Sequence, residues 1–135
     1  MSLFAALNIA NTGVDAMQTW IDTAGANAAN ASDMVATNQP AYAEQTPVFT
    51  PVYGVAPGQI GGGVTVSVTE GSTAGIVESD PSSPLADGQG NVKVPDVSLS
   101  DQLVGLIQAQ DGYEADTNVM TKAVAAYQAG LTIGT

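Results

Sequence analysis

Residues 99–131 contain no proline and carry their larger side chains at alternating steps of four and three: Leu99, Leu103, Leu106, Gln110, Tyr113, Thr117, Met120, Val124, Tyr127 and Leu131. That spacing is the a/d track of a heptad and predicts one continuous helix. At roughly 1.5 Å per residue the helix is about 50 Å long, more than a domain of this size encloses. It therefore needs a partner along its seam.

The first thirty residues offer one. Leu3, Leu7, Ala10, Val14, Met17, Ile21, Ala24 and Ala28 again step by four and three, with Asn8, Asn11, Asp15, Gln18, Asp22 and Asn27 between them. The expected fold is mainly α, with long N- and C-terminal helices (residues 1–31 and 99–135) paired as a coiled coil. A small β-hairpin and an extended loop occupy residues 32–98. Antiparallel pairing sets the small Ala24 and Ala28 opposite Leu99 and Leu103, and Leu3 and Leu7 opposite Tyr127 and Leu131, so that volumes match. The assembly seam then comprises the eight N-terminal positions together with the C-terminal track from Leu103 to Leu131. Gln110 and Thr117 are its polar members, and a polar residue on a seam fixes register, because a shifted pairing buries its hydrogen-bonding groups without partners.

A seam without a large core behind it is also what the composition describes. Leu, Ile, Val and Phe make up only 30 of 135 residues, and the 44% hydrophobic fraction leans heavily on alanine. Such a chain buries little apolar surface by itself and draws stability from neighbours. With 13 acidic residues against Lys93 and Lys122, the net charge is -11, which argues against binding nucleic acid or an anionic membrane. No run is apolar for long enough to insert in a bilayer. The first residues lack a basic n-region, and Asn8, Asn11 and Asp15 interrupt any apolar h-region, so a cleaved secretory signal is not expected.

Chemistry is equally sparse. Without cysteine or histidine there are no disulfides and no Cys- or His-based catalysis. The carboxylate pairs Glu78 with Asp80 and Asp111 with Glu114 read as solvated charge. The run from Gly58 through Gly61, Gly62 and Gly63 lacks the Lys-Ser/Thr pair of a phosphate loop and precedes a strand rather than a helix. The stretch from Asp87 through Gly88 and Gly90 to Asn91 lacks the ligand spacing of a calcium loop. No cofactor, metal or enzymatic activity is expected.

Between the helices, Asn27, Asn30, Ser32 and Asp33 favour a helix stop. Pro40, Pro47, Pro51 and Pro57 then mark residues 42–53 as an extended arm or edge strand, with Val48, Thr50 and Val52 alternating. Val64, Val66 and Val68 alternating with Thr65, Ser67 and Thr69 give the clearest strand signal, and the glycine run turns the two segments into a hairpin. Asp80-Pro81 and Pro95-Asp96 set turns. Val92 and Val94 suggest a short strand touching the hairpin, and Ser98 or Ser100 caps the last helix with Asp101 in its first turn.

Four of these features together resemble the bacterial flagellar rod and hook family, and its short proximal-rod members in particular, over essentially the whole chain. Asn27-Ala28-Ala29-Asn30-Ala31 is similar to the Asn-Leu-Ala-Asn-Ala signature closing the family's first helix. Asp80, Pro81, Pro84, Ala86 and Asp87, followed by Gly90 and Pro95, resemble its central loop. Tyr113-Glu114-Ala115 and the tail Leu131-Thr132-Ile133-Gly134 match its last helix. Departures are Ala28 for leucine, Asn91 for tyrosine, and Asp96 and Asp116 where asparagine is usual. The resemblance implies a structural subunit of the periplasmic rod, packed as a helical tube that carries torque from motor to hook. Its partners would be other rod subunits, copies of itself and the flagellar export apparatus, through which it would pass without a cleaved signal. The alternatives are a secreted coiled-coil adaptor, or another axial filament or rod subunit of a secretion apparatus. An adaptor forms a defined complex, whereas a rod subunit adds to an open assembly.

Overall fold

The computed structural model describes residues 3–53 and 62–133, apart from the side chains of Leu3 and Ile133. The Leu3 seam position, Pro57, Gly58 to Gly61 of the expected turn, and Gly134 of the tail motif lie outside the described residues.

Two proline-free segments form the long helices α1 (Leu3–Asn30) and α2 (Leu99–Ile133). Helix α1 stops in the asparagine cluster: Asp33 N donates to the Asn30 carbonyl at 3.0 Å, and Asn30 Nδ2 donates to the Ala26 carbonyl at 2.7 Å. Ser98 caps α2 by accepting from Asp101 N through its Oγ (3.4 Å) and from Gln102 N through its carbonyl (3.1 Å). The helices pack against each other in opposite directions. Phe4 meets Tyr127 edge-on with ring centroids 5.9 Å apart, Gly13 faces Asp116, Met17 covers Gly112, Trp20 covers Gly105, and Asn27 bonds Gln102.

The contact line on α2 runs through Gln102, Gly105, Ala109, Gly112, Asp116 and Ala123, one position before Leu103, Leu106, Gln110, Tyr113, Thr117 and Val124. Volumes are matched, but in the opposite sense to the expected one. At Gly112 and Gly105, helix α1 supplies the large side chains, Met17 and Trp20, and α2 the small ones, whereas at Gly13 the small residue is on α1 and faces Asp116. A Cβ at Gly112 would approach Met17 Sδ to 2.7 Å, and one at Gly13 would overlap the Asp116 carboxylate. Close approach of the two backbones leaves no room for Leu99 and Leu103 between them, so neither is enclosed opposite Ala24 and Ala28.

The alternating valine and hydroxyl residues build β1 (Gln45–Val52) and β2 (Gly63–Glu70), an antiparallel pair in which Gln45 stands opposite Glu70 and Val52 opposite Gly63. Helix α1 crosses this sheet corner to corner. Thr12 Oγ1 accepts from Val64 N at 3.1 Å at one corner, Trp20 packs edge-on against Phe49 with centroids at 5.8 Å in the middle, and Asn27 reaches Gln45 at the other corner. A side chain at residue 63 would collide with Thr12, and Gly63 also takes a positive φ of 95°. Helix α1 is thus the central layer, with α2 on one side and the hairpin on the other.

The strand expected at Val92 and Val94 exists as β4 (Asn91–Val94), but it does not touch that hairpin. It pairs antiparallel with β3 (Ile76–Ser79), a strand absent from the sequence reading, and its other edge exchanges two 2.9 Å backbone hydrogen bonds between Lys93 and Val35. Strand β4 is therefore paired on both edges, and its Val92 and Val94 side chains are buried. Replacing Val92 by alanine is expected to cost about 2 kcal/mol, whereas Val77→Ala on exposed β3 should cost well under 1 kcal/mol. Urea melts of the two variants measure the difference.

Candidate assembly surface

Three segments distant in sequence converge on the amide of Asn27, which is only 1% exposed. Its Nδ2 donates to the Gln45 carbonyl at 2.7 Å and to Gln102 Oε1 at 3.0 Å, while its Oδ1 accepts from Gln45 N at 2.8 Å and from the Tyr42 hydroxyl at 3.0 Å. Both donors and both lone pairs are used, which is the full capacity of an asparagine side chain. Gln102 Nε2 in turn donates to Glu44 Oε1 at 2.7 Å, closing a polar bridge from α2 to the arm before β1. Burial, with Glu70 and Glu44 nearby, holds the Tyr42 phenol above its usual pKa and so keeps it the donor this arrangement needs.

A second organised region is the connection between β3 and β4. Asp80 Oδ1 accepts from Ser82 N and Oγ (3.2 and 2.6 Å), while Asp87 Oδ1 accepts from Gln89 N and Asn91 N (2.9 and 3.0 Å). The Asn91 and Gln89 amides hold the Asp87 carboxyl below its usual pKa, and Thr37 Oγ1 ties its other oxygen to the arm at 3.2 Å. Gly90 takes a positive φ of 81° against the ring of Pro81. Of the motif residues, Asp80, Pro81, Asp87 and Gly90 therefore meet in one turn, Ala86 is half-buried beside it, Pro84 is exposed and Pro95 is buried. Asn27 and Asn30 end α1, and Tyr113 lies half-buried on α2, away from that turn.

The seam positions divide by exposure. Ala10 and Ala24 are buried; Leu7, Val14, Met17, Ile21, Ala28, Leu106, Tyr113, Thr117 and Met120 are half-buried; Leu103, Gln110, Val124, Tyr127 and Leu131 are exposed. Thr117 Oγ1 bonds the Glu114 carbonyl of its own helix at 2.9 Å. On the side of α2 turned away from α1, Leu99, Leu103 and Ile107 follow one another at four-residue steps beside Val104, and these are 46 to 60% exposed. A contiguous apolar face of this kind on a helix marks an interaction surface. Farther along α2 a shallow groove of about 420 Å³ is lined by Met120, Thr121, Val124, Ala125 and Gln128, with no titratable group. Among the described residues no three carboxylates converge, and no helix is long and apolar enough to cross a membrane.

Met17 and Tyr127 of the expected seam take part in joining the helices, but Gln102, Gly105, Ala109, Gly112 and Asp116 of α2 were not among it. Their signal is the four-three spacing of small residues Gly105, Ala109 and Gly112, which counting large side chains passes over. Tyr42 and Gln45, which complete the Asn27 site, carry no local signal.

The chain matches the family model for the C-terminal region of flagellar basal-body rod FlgEFG proteins over residues 89–133. Over its full length it is similar to proteins named flagellar basal-body rod protein FlgC. It is 31% identical to that of Salmonella typhimurium, with 99% of both chains covered, and 30% identical to that of Escherichia coli O6:H1, again with 99% of both covered. Against that of Borreliella burgdorferi it is 30% identical with 98% of both covered.

Truncating Asn27 to alanine strands the N–H and C=O of Gln45 together with Tyr42 and Gln102. At about 1–3 kcal/mol for each buried group left unpaired, the expected loss is about 3 kcal/mol or more, while Asn30→Ala, confined to one helix, should lose about 1 kcal/mol. Denaturant melts at neutral pH decide this. Asp116 provides a pH test, because burial against Gly13 raises its carboxyl pKa. The native state then holds the proton more tightly than the unfolded chain, so this group's contribution to stability grows as pH falls from neutral through its native pKa toward 3.8. Asp116→Asn, which restores the residue usual in the resembling family, should melt higher at pH 7 and flatten that part of the stability profile. Equal profiles for the two proteins would refute the assignment.

Proposed function

This chain belongs to the flagellar basal-body rod protein FlgC family, and from that premise we propose how it is built into the rod. It is a structural subunit of the flagellar basal body and not an enzyme. In the proposed arrangement it sits in the proximal rod, within the periplasm or cell envelope, and arrives through the flagellar export apparatus without a cleaved signal peptide. There α1 and α2 act as a coiled-coil core that packs against other rod subunits and copies of this chain, forming a helical tube that transmits torque toward the hook.

The observation that carries this reading is the uncovered face of α2. A helix of 35 residues leaves Leu99, Leu103, Val104 and Ile107 open on one side, and near its end leaves Val124, Tyr127 and Leu131 open as well. At about 25 cal/mol per Å² of apolar surface, covering these side chains supplies several kcal/mol that the isolated subunit lacks. Gln110, in this reading, selects the register in which neighbours dock, because a slipped pairing leaves its amide unmatched, whereas the Thr117 hydroxyl is already bonded to the Glu114 carbonyl of its own helix.

The test is replacement of the resident rod subunit of a motile bacterium by this chain, followed by electron microscopy of purified basal bodies. The full chain should restore rods. Deleting residues 127–135 removes Tyr127 and Leu131 but none of the Asn27 contacts, so the truncated chain should remain folded around β1 to β4 and fail to complete rods. Normal rods from the truncated chain would overturn the paired-terminus arrangement, and a discrete soluble complex in place of rods would favour an adaptor.

A further inference from the structure

The two edges of the β1–β2 sheet are finished differently. In an antiparallel pair, alternate residues turn their N–H and C=O groups toward the partner strand and the rest turn them outward. Gly71 N bonds the Glu44 carbonyl at 2.8 Å, which sets the parity: Gln45, Pro47, Phe49 and Pro51 face outward on β1, and Val64, Val66, Val68 and Glu70 on β2. On β1 both outward groups of Gln45 are taken by Asn27, and Pro47 and Pro51 have no N–H to offer. That edge is closed to a further strand.

Among the described residues, the edge of β2 is closed only at its start, where Thr12 accepts from Val64 N. Helix α1 then passes diagonally toward β1, and neither α2 nor the β3–β4 sheet packs on β2. Among the described residues, the outward groups of Val66, Val68 and Glu70 have no partner, and Val68 is 44% exposed. The same corner is acidic, since Glu70 and Glu44 both act on Tyr42. We propose that the open edge of β2 from Val66 to Glu70 receives an extended segment of another rod component as a third strand, with a Lys or Arg of that segment placed across from Glu70. This rests on the rod-subunit reading above. Main-chain bonds to an open edge supply affinity, and the cross-strand charge supplies selectivity.

A second copy of this chain fits the edge poorly. Its β1 edge is blocked, β2 and β3 bring Glu70 and Glu78, and of its two lysines Lys93 is bonded to the Gln39 carbonyl and Lys122 is in helix α2 rather than in a strand. Charge complementarity therefore selects a basic partner strand.

The experiment uses the full chain in cells that depend on it for rods. Val68→Pro removes only an outward N–H, because Val68 turns away from β1, and Val68→Thr keeps that N–H while changing the side chain. Incorporation of V68P into purified basal bodies should fall about tenfold, the scale of one lost main-chain hydrogen bond with its strand register, while V68T stays near wild type. Glu70→Lys should fall as V68P does. Wild-type incorporation of a folded V68P overturns the proposal. If V68P melts early, the absence of native cysteine makes Val68→Cys a clean second probe: maleimide labelling in assembled basal bodies should be strongly slowed relative to the isolated chain, and equal labelling overturns the proposal. Cross-linking of that cysteine to a second copy of this chain overturns the choice of occupant. Failure of the wild-type chain itself to enter basal bodies overturns the rod reading and this inference with it, a result distinct from failure of the edge variants.

Discussion

The saturated amide of Asn27 is the constraint on which the remaining geometry depends. One side chain on α1 supplies hydrogen bonds to α2 through Gln102, to both backbone groups of Gln45 at the start of β1, and to Tyr42 in the arm. A chain with few large apolar residues has little area with which to lock three elements together. Directional bonds at one buried point do what a larger core does elsewhere, because any slip of α1 along α2 or along β1 leaves buried polar groups unmatched. Position rather than bulk therefore sets the register of the layers.

That anchoring has a consequence for the helix pair. With small residues along the α2 contact line, the backbones come close and Met17 and Trp20 fill the space over Gly112 and Gly105. The same rotation of α2 that admits these contacts carries Leu99, Leu103, Val104 and Ile107 to the outside. Internal packing and external stickiness are two results of one choice of helix phase. An outward apolar face is costly for a free monomer and useful for a subunit that adds to a growing assembly, since a heterologous contact that does not close on itself propagates.

Much of this was legible in the residues. The two proline-free segments gave the helices, and the serine and asparagine signals placed their ends at Ser98 and Asn30. The valine and hydroxyl alternation placed β1 and β2, and Asn27, Asp80 and Asp87 stood out through the family resemblance. The phase of α2 was not legible, because a heptad count weighted toward large side chains follows the outward-shifted track when the helix contact is made by glycine and alanine. Nor was β3: the four residues Ile-Val-Glu-Ser show no alternation, and their pairing is decided by distant β4, which is itself held by Val35. The partners of Asn27 lie 15 to 75 residues away, and no local pattern reports a hydrogen bond closed over such separations.

Burial along the helix pair is graded, and the gradient bears on assembly. Near the anchor, Thr23, Ala24 and Asn27 are buried and Gln102 is bonded on two sides. Midway, Gly13 and Asp116 meet with a carboxyl that burial makes harder to ionise. At the far end Phe4 is 68% exposed even while touching Tyr127, and Leu131 is 55% exposed. Local stability follows buried contact, so opening from the Phe4 and Tyr127 end costs least and opening from the Asn27 end costs most. A subunit built this way keeps its β-sheets and anchor as a preformed unit and leaves its free helix ends to be completed by whatever packs against them. The exposed end of the pair and the uncovered start of α2 lie at opposite ends of one helix, so neighbours docking at both would clamp α2 along its length, which is the geometry a rod needs to carry load from one subunit to the next.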